Sequence, residues 1–225
     1  MSNPIKPNFQ TEWFSVCLLL LFFLAGFFFH FNLPARVPIH WNIYGQVDGY
    51  GSAAFSAWLL PLLALGLYIL FLVMPKFDPR QDQYADFRKI YHYFKDLILC
   101  FLFVLFLMTN LSGLGYKINV SLYLPILIGA LFVVIGIFMG KIKPNWFMGI
   151  RTPWTLSSEK VWEETHKLSS KVFAVSGLLM AATVLFESTG KIILFVLSIA
   201  IIVLVLPIYS YLMFRKEKGG KKIEK

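Results

Sequence analysis

Charged residues are scarce: Asp, Glu, Lys and Arg make up only 15% of the 225 residues, where a soluble domain carries about 25%. Cysteine is scarcer still, with two in the chain, which excludes a disulfide scaffold. Collagen-like repeats are missing, and the apolar content excludes intrinsic disorder. The chain also lacks the short patterns that announce common chemistries. It has no nucleophile elbow, no zinc-protease helix, no phosphate-binding Gly-rich loop ending in Lys-Ser/Thr, and no Cys-x-x-Cys. No catalytic residue, metal ligand set or cofactor is assigned on this basis, and the expectation is a protein that is not an enzyme. Hydrophobic residues reach 58%, Phe occurs 23 times, and mean hydropathy is +0.68. A water-soluble globule of this size cannot hide that much apolar surface. The composition is that of a membrane protein.

Six apolar runs are long enough to cross the hydrocarbon core, which takes about 17–25 residues. They cover Trp13–Phe31, Phe55–Met74, Leu97–Leu114, Val120–Met139, Leu168–Phe186 and Ile192–Phe214. None shows the period-2 alternation of an outer-membrane strand. The expected fold is all-α and polytopic, with six transmembrane helices. Basic residues then set the topology. Arg36, Lys117 and Lys191 are the three on one set of loops, and the other eighteen, including the tail to Lys225, lie on the opposite set. The positive-inside rule places both termini in the cytoplasm. The net charge of +9 is thereby a topological anchor that meets anionic lipid, and no direct nucleic-acid contact is expected. Cys17 and Cys100 fall within spans and read as packing residues.

The spans are expected to hold almost no ionisable residues, with Asn110 as the main polar group at depth and a tie between helices. Coupled pumps keep carboxylates or histidines at membrane depth, so this counts against a coupled transporter. An uncoupled transporter or exporter of a small peptide or lipid-like solute survives the objection.

Two loops are too rich in special residues to be plain connectors. The outer loop runs from Leu33 to Ser52 and sets three glycines and three aromatics around His40, Asn42 and Asp48. Asp48-Gly49 is a turn signal, and Ser52 suits the cap of the second span. The loop is expected to be ordered. His40 and Asp48 suit a hydrogen-bonded pair, a ligand-binding patch or a weak metal site; one His and one Asp fall short of the three or four ligands a metal site wants. The inner loop runs from Lys141 to Lys167. Ser157 or Ser158 caps a helix there, with Glu159 in its first turn. Val161, Trp162, Thr165, Leu168 and Val172 recur at helical spacing, and Glu163 and Lys167 form an i,i+4 pair. This helix either lies at the interface or continues into the fifth span. The segment suits an interfacial elbow, with Trp146, Trp154 and Trp162 in the aromatic belt, or a docking surface anchored on Arg151.

The same two loops carry a family resemblance. Val37-Pro-Ile-His-Trp-Asn-x-x-Gly-x-x-Asp-Gly-Tyr-Gly-Ser52 resembles the signature of a small bacterial domain of uncharacterised function. Gly149-Ile-Arg-Thr-Pro-Trp-Thr-Leu-Ser-Ser-Glu-x-Val-Trp-x-x-Thr-His166 resembles the hallmark of the SdpI family. The two commonly occur together in this order, so the resemblance divides the chain into 1–75 and 76–225. It implies a protein of the bacterial cytoplasmic membrane that gives immunity to a secreted peptide toxin and relays the toxin's presence by sequestering a cytoplasmic repressor. On that implication His40, Trp41, Asn42, Asp48 and Tyr50 are the candidate toxin-binding residues. Arg151, Thr152, Trp154, Trp162, Glu163 and His166 are the candidates for docking the repressor.

Overall fold

A computed structural model describes residues 3–223 of the chain; Lys225, at the end of the basic tail, lies outside the described residues. The elements are α1 (Phe9–Asn32), β1 (Val37–Trp41), β2 (Val47–Gly51), α2 (Ala53–Val73), α3 (Tyr84–Gly113), α4 (Val120–Met139), α5 (Pro153–Ser157), α6 (Glu159–Ala182), α7 (Ser188–Ala200) and α8 (Leu206–Ile223). One π-helical turn, Ile201–Val205, joins α7 to α8. Six helical segments among the described residues are long and apolar enough to cross a membrane. The protein is an all-α, multi-pass membrane protein with one small β-hairpin.

The helices start where side chains can satisfy their first backbone N–H groups. Asn8 caps α1 through a reciprocal box with Thr11. Ser52 accepts from the Phe55 N–H at 3.1 Å and so caps α2 as expected. Thr152 caps α5 in a second box with Thr155 and with Pro153 in the first turn. Ser158 caps α6.

The third and fifth spans begin well before their apolar runs. The third span was expected from Leu97, yet α3 begins at Tyr84 and is kinked only at Phe87. The fifth was expected from Leu168, yet α6 begins at Glu159 and runs without a break. In both cases amphipathic turns precede the hydrophobic stretch, and backbone hydrogen bonding continues through them.

The chain groups into two compact units. The first, called the hairpin unit below, holds Lys6–Val73 and His92–Leu124. The second, the loop unit, holds Met1–Ile5, Met74–Tyr91 and Pro125–Lys225. The core of the hairpin unit is formed by Leu18, Leu19, Phe22 and Phe29 of α1, Ala57 and Ala64 of α2, and Leu99, Leu102 and Phe106 of α3. The two alanines let α1 and α2 approach closely, as small residues do in membrane helices. Leu20, Leu24, Phe27 and Leu62 are exposed on the outer faces, where the bilayer solvates them. Asn110 is buried and ties α3 to α2, accepting from the Ser56 hydroxyl at 3.0 Å.

In the loop unit, α6 packs on α7 and α8, and α5 packs on both α6 and α8. Gly129 of α4 and Gly177 of α6 meet backbone to backbone, each occupying the space the other's Cβ would need. The buried residues here include Val161, Trp162, Val172, Met180 and Leu206.

Candidate functional site

The outer loop is a β-hairpin. β1 and β2 pair antiparallel, with Val37 opposite Gly51 and Trp41 opposite Val47. A lone two-stranded hairpin is marginal in water. This one is anchored by Val37, fully buried against Gly113, where any Cβ would strike it. The turn lies at Asn42–Gln46 and not at Asp48-Gly49, which sits within β2. The Asn42 carboxamide oxygen accepts from the N–H groups of Tyr44 and Gln46, both at 3.0 Å. This fixes the turn from inside and leaves Gly45 at φ 78°, a conformation glycine adopts without penalty. Asp48-Gly49 lost its turn role because the Asn42 side chain outcompetes it for the backbone donors.

His40 Nδ1 lies 2.5 Å from Asp48 Oδ1, and the pair is exposed, at 71% and 43% of the side-chain surface. Arg36 stacks over the Tyr50 ring at 4.8 Å. Beneath the hairpin is a mostly apolar cavity of about 390 Å³, lined by Ile39, His40 and Trp41 from above and by Phe55, Leu59 and Met108 among others from the helices. The structure therefore brings His40, Asp48 and Asn42 onto one small scaffold, with Trp41 facing the cavity and Tyr50 on the exposed side.

The inner loop is held throughout by side chains bonded to backbone. Asn145 is fully buried; its oxygen accepts from the Phe147 and Met148 N–H groups and its nitrogen donates to the Lys143 and Met148 carbonyls. Asp78 accepts from the Trp146 N–H at 2.9 Å and from the Tyr84 hydroxyl at 2.8 Å. Arg80 donates to the Leu156 carbonyl at 2.9 Å. Arg151 donates to the Trp146 carbonyl at 2.6 Å, and the residue is otherwise exposed. Thr152 reaches the Ser210 hydroxyl at 3.0 Å, and Trp154 stacks near Tyr211.

Trp162 is 0% exposed, donates its indole N–H to the Ile142 carbonyl at 2.9 Å, and stacks on His166. His166 Nε2 accepts from the Ile150 N–H at 3.0 Å, while Nδ1 lies 2.9 Å from the Trp162 carbonyl. An N–H donor at one nitrogen and a carbonyl at the other require the neutral Nδ1–H tautomer. Gly149 beside it has φ 100°, and a Cβ there would run into the imidazole. Glycine is required twice over at this position. Glu163 is exposed on α6; Lys167 pairs with Glu164, at 3.5 Å, in place of the expected Glu163. The i,i+3 partner is the one whose side chain rises toward it.

One charged cluster lies in the turns by which α1 and α3 extend beyond the apolar runs expected to span the membrane. Glu12 in the first turn of α1 meets Lys95 and His92 of α3; Lys95 is 0% exposed, and His92 Nδ1 lies 3.2 Å from Glu12 Oε1. Asp96 accepts from the Ser15 hydroxyl at 2.5 Å and lies 3.8 Å from Lys95. Hydropathy ends the apolar runs short of these residues, because a window of hydropathy stops at charge. His92, Lys95 and Asp96 share one helix face at i, i+3 and i+4, which is the signal that would have found them.

Comparison with known proteins bears on the two loops. The SdpI/YfhL protein family matches residues 141–210, which hold the whole inner loop, and a domain of unknown function, DUF1648, matches residues 17–65, which hold the hairpin. No solved structure matches the chain. Among curated proteins, the immunity protein SdpI of Bacillus subtilis (strain 168) is 25% identical over 207 residues, which is 92% of this chain and 97% of that protein. The chain is thus a multi-pass membrane protein similar, almost end to end, to an immunity protein.

Proposed function

We propose that the protein resides in the bacterial plasma membrane and protects its cell from a secreted peptide toxin. The observation that carries this is the similarity to the immunity protein over nearly the whole of both chains. The basic loops and both termini face the cytoplasm, on the strength of the uneven Lys and Arg distribution. The hairpin is then outside, where a secreted peptide arrives. Its exposed His40–Asp48 pair and Tyr50 offer polar and aromatic contacts, and Trp41 opens on an apolar cavity that suits a hydrophobic side chain of the toxin. Asn42 holds the turn that presents them.

The inner loop docks a cytoplasmic repressor and so reports the toxin's presence. Arg151, Trp154 and Glu163 supply exposed or half-exposed contacts, while Thr152, Trp162 and His166 hold the loop in shape. A basic DNA-binding repressor would be drawn to the acidic face of α6.

The test is complementation. A host made sensitive by deleting its own SdpI, carrying this chain, is challenged with the toxin that SdpI opposes. Survival at toxin doses that kill the empty-vector strain is expected. Equal killing of both strains, with the protein present in the membrane, would overturn the proposal. Cysteine labelling at position 48 from the outside, and not from the inside, checks the orientation.

A further inference from the structure

The cavity beneath the hairpin is built within a single unit and opens toward lipid. Its walls are Phe55 and Leu59 of α2, Leu105 and Met108 of α3, and Val120 and Leu124 of α4, and β1 roofs it. The roof is pinned at two points. Val37 packs against Gly113 at the end of α3, and the hairpin turn rests on the first turn of α4, where a Cβ on Gly45 would stand 2.7 Å from that of Ser121. The walls lie within the spans, since Leu105 is eight residues before Gly113 and so about 12 Å down α3. Phe55 and Leu59, one turn apart on α2, line the cavity and yet are 47% and 46% exposed. On a spanning helix that exposed face meets lipid, so the cavity opens sideways onto hydrocarbon. Water finds few partners among such walls. Lipid tails are as apolar as leucine, and they are the solvent at this depth. The volume of about 390 Å³ falls within the range of small-molecule sites, about 300–1,000 Å³.

We infer that this cavity is a lipid site, holding one acyl chain of an anionic phospholipid whose phosphate lies toward Lys117. The headgroup is assigned by charge. Arg36 and Lys117 are the basic residues of the two connections at the hairpin end of this unit, 33–52 and 114–119. Arg36 is engaged over the Tyr50 ring at 4.8 Å. Lys117 is exposed and stands three residues before Val120, a wall of the cavity. Asp48 is the one acidic residue in these connections, and it pairs with His40. An anionic phosphate therefore meets a basic side chain with little competition from carboxylate. Lipid tails surround the opening at all times, whereas a secreted peptide arrives from outside. A toxin side chain entering the same cavity displaces the lipid chain, so the two occupants compete for one space. The lipid site itself does not depend on immunity.

The experiment uses the full chain in nanodiscs of phosphatidylcholine with a minor share of phosphatidylglycerol that carries a photoreactive diazirine midway along one acyl chain. After irradiation, mass spectrometry maps the labelled positions. Expected is label on Leu105, Met108, Val120 and Leu124 severalfold above that on Leu20 and Leu24, which are exposed on α1 and do not line the cavity. Leu105→Trp fills the cavity and should bring the walls down to the level of Leu20 and Leu24. Lys117→Gln should lower the wall label about fivefold, the weight of one basic side chain toward an anionic lipid. A fatty acid with the same diazirine lacks the phosphate and should label the walls no more than Leu20 and Leu24. Equal labelling of walls and outer faces by the phospholipid, or wall label that Leu105→Trp leaves in place, would show passing contact with bulk lipid and overturn the site. Wall label that is equal for fatty acid and phospholipid, or unchanged in Lys117→Gln, would overturn the phospholipid as its occupant. Should Leu105→Trp fail to fold, native mass spectrometry of the wild type after detergent exchange decides. One phosphatidylglycerol retained per chain supports the site, and none retained overturns it. No readout uses toxin, so the immunity proposal stands or falls separately.

Discussion

The hairpin unit and the loop unit place their polar side chains in contrasting ways. In the loop unit they are directed at backbone: Asp78, Arg80, Asn145, Arg151, Trp162 and His166 each bond a main-chain N–H or C=O of the 142–156 segment or its flank. In the hairpin unit the charged side chains at the base of α1 and α3 bond one another. The first pattern turns an irregular segment into a rigid object without needing any change of charge. The second pairs charges between two helices whose backbone bonds are already made. A rigid loop and an inter-helix charge cluster are therefore found in different parts of one chain, and substitutions should separate them.

The largest effect is expected where one side chain supports the most. Trp162→Ala removes a buried indole, its stacking on His166 and its bond to Ile142, and should destabilise the loop unit by about 4 kcal/mol. Unfolding by denaturing detergent, followed by hydrogen exchange along α6, measures it. If α6 keeps its protection, the inner loop is not the rigid object described. Lys95→Met leaves Glu12 and Asp96 without their shared cation and should cost about 3–5 kcal/mol. The loss should register in exchange at α1 and α3. Equal loss at α5 and α6 would erase the contrast between the units.

Gly149→Ala forces a residue with a Cβ into φ 100° and against the His166 ring, for about 3 kcal/mol; a melting curve of the purified protein reads this directly. Asn110→Leu should cost about 1–2 kcal/mol, since it leaves the Ser56 hydroxyl without its acceptor, and the midpoint of detergent unfolding reports it. The smallest change is expected from Asp48→Ala. Its partner His40 is largely exposed, so stability should fall by about 1 kcal/mol or less. Toxin survival should fall further than stability does. A variant that protects as well as the parent would remove this pair from the toxin contact.

Much of this architecture was legible in the residues. Span count, the caps at Ser52 and Ser158, and the tie through Asn110 followed from hydropathy, capping chemistry and the cost of a polar group in lipid. The sequence left the inner helix at the interface or continuing into the fifth span, and α6 takes the second course. What could not be seen follows one physical rule. Windows of hydropathy end at charge, while helices end only where backbone hydrogen bonding does. Thus the apolar run beginning at Leu97 stops short of His92, Lys95 and Asp96, and Lys95, the partner of Glu12, lies more than 80 positions after it in the chain. The hairpin turn escaped for a related reason. Asp48-Gly49 has the stronger local signature, but Asn42 wins by making two backbone bonds at once.

The π-helical turn at Ile201–Val205 sets a phase as well as joining two helices. Ser198 and Ser210 are both fully buried in the loop unit, one reaching the Met180 sulfur and the other the Thr152 hydroxyl. Twelve residues apart, two positions on an uninterrupted α-helix point about 120° away from each other. A turn that absorbs one extra residue cuts the difference to about 20° and brings both serines to the same side. The wide turn thus acts as a vernier for the last membrane segment. Straightening it into a regular α-helix at unchanged length would rotate the second half by about 100° and take Ser210 off the inner loop that it now touches, whereas removing one residue from it would leave a regular helix with both serines still on the same side.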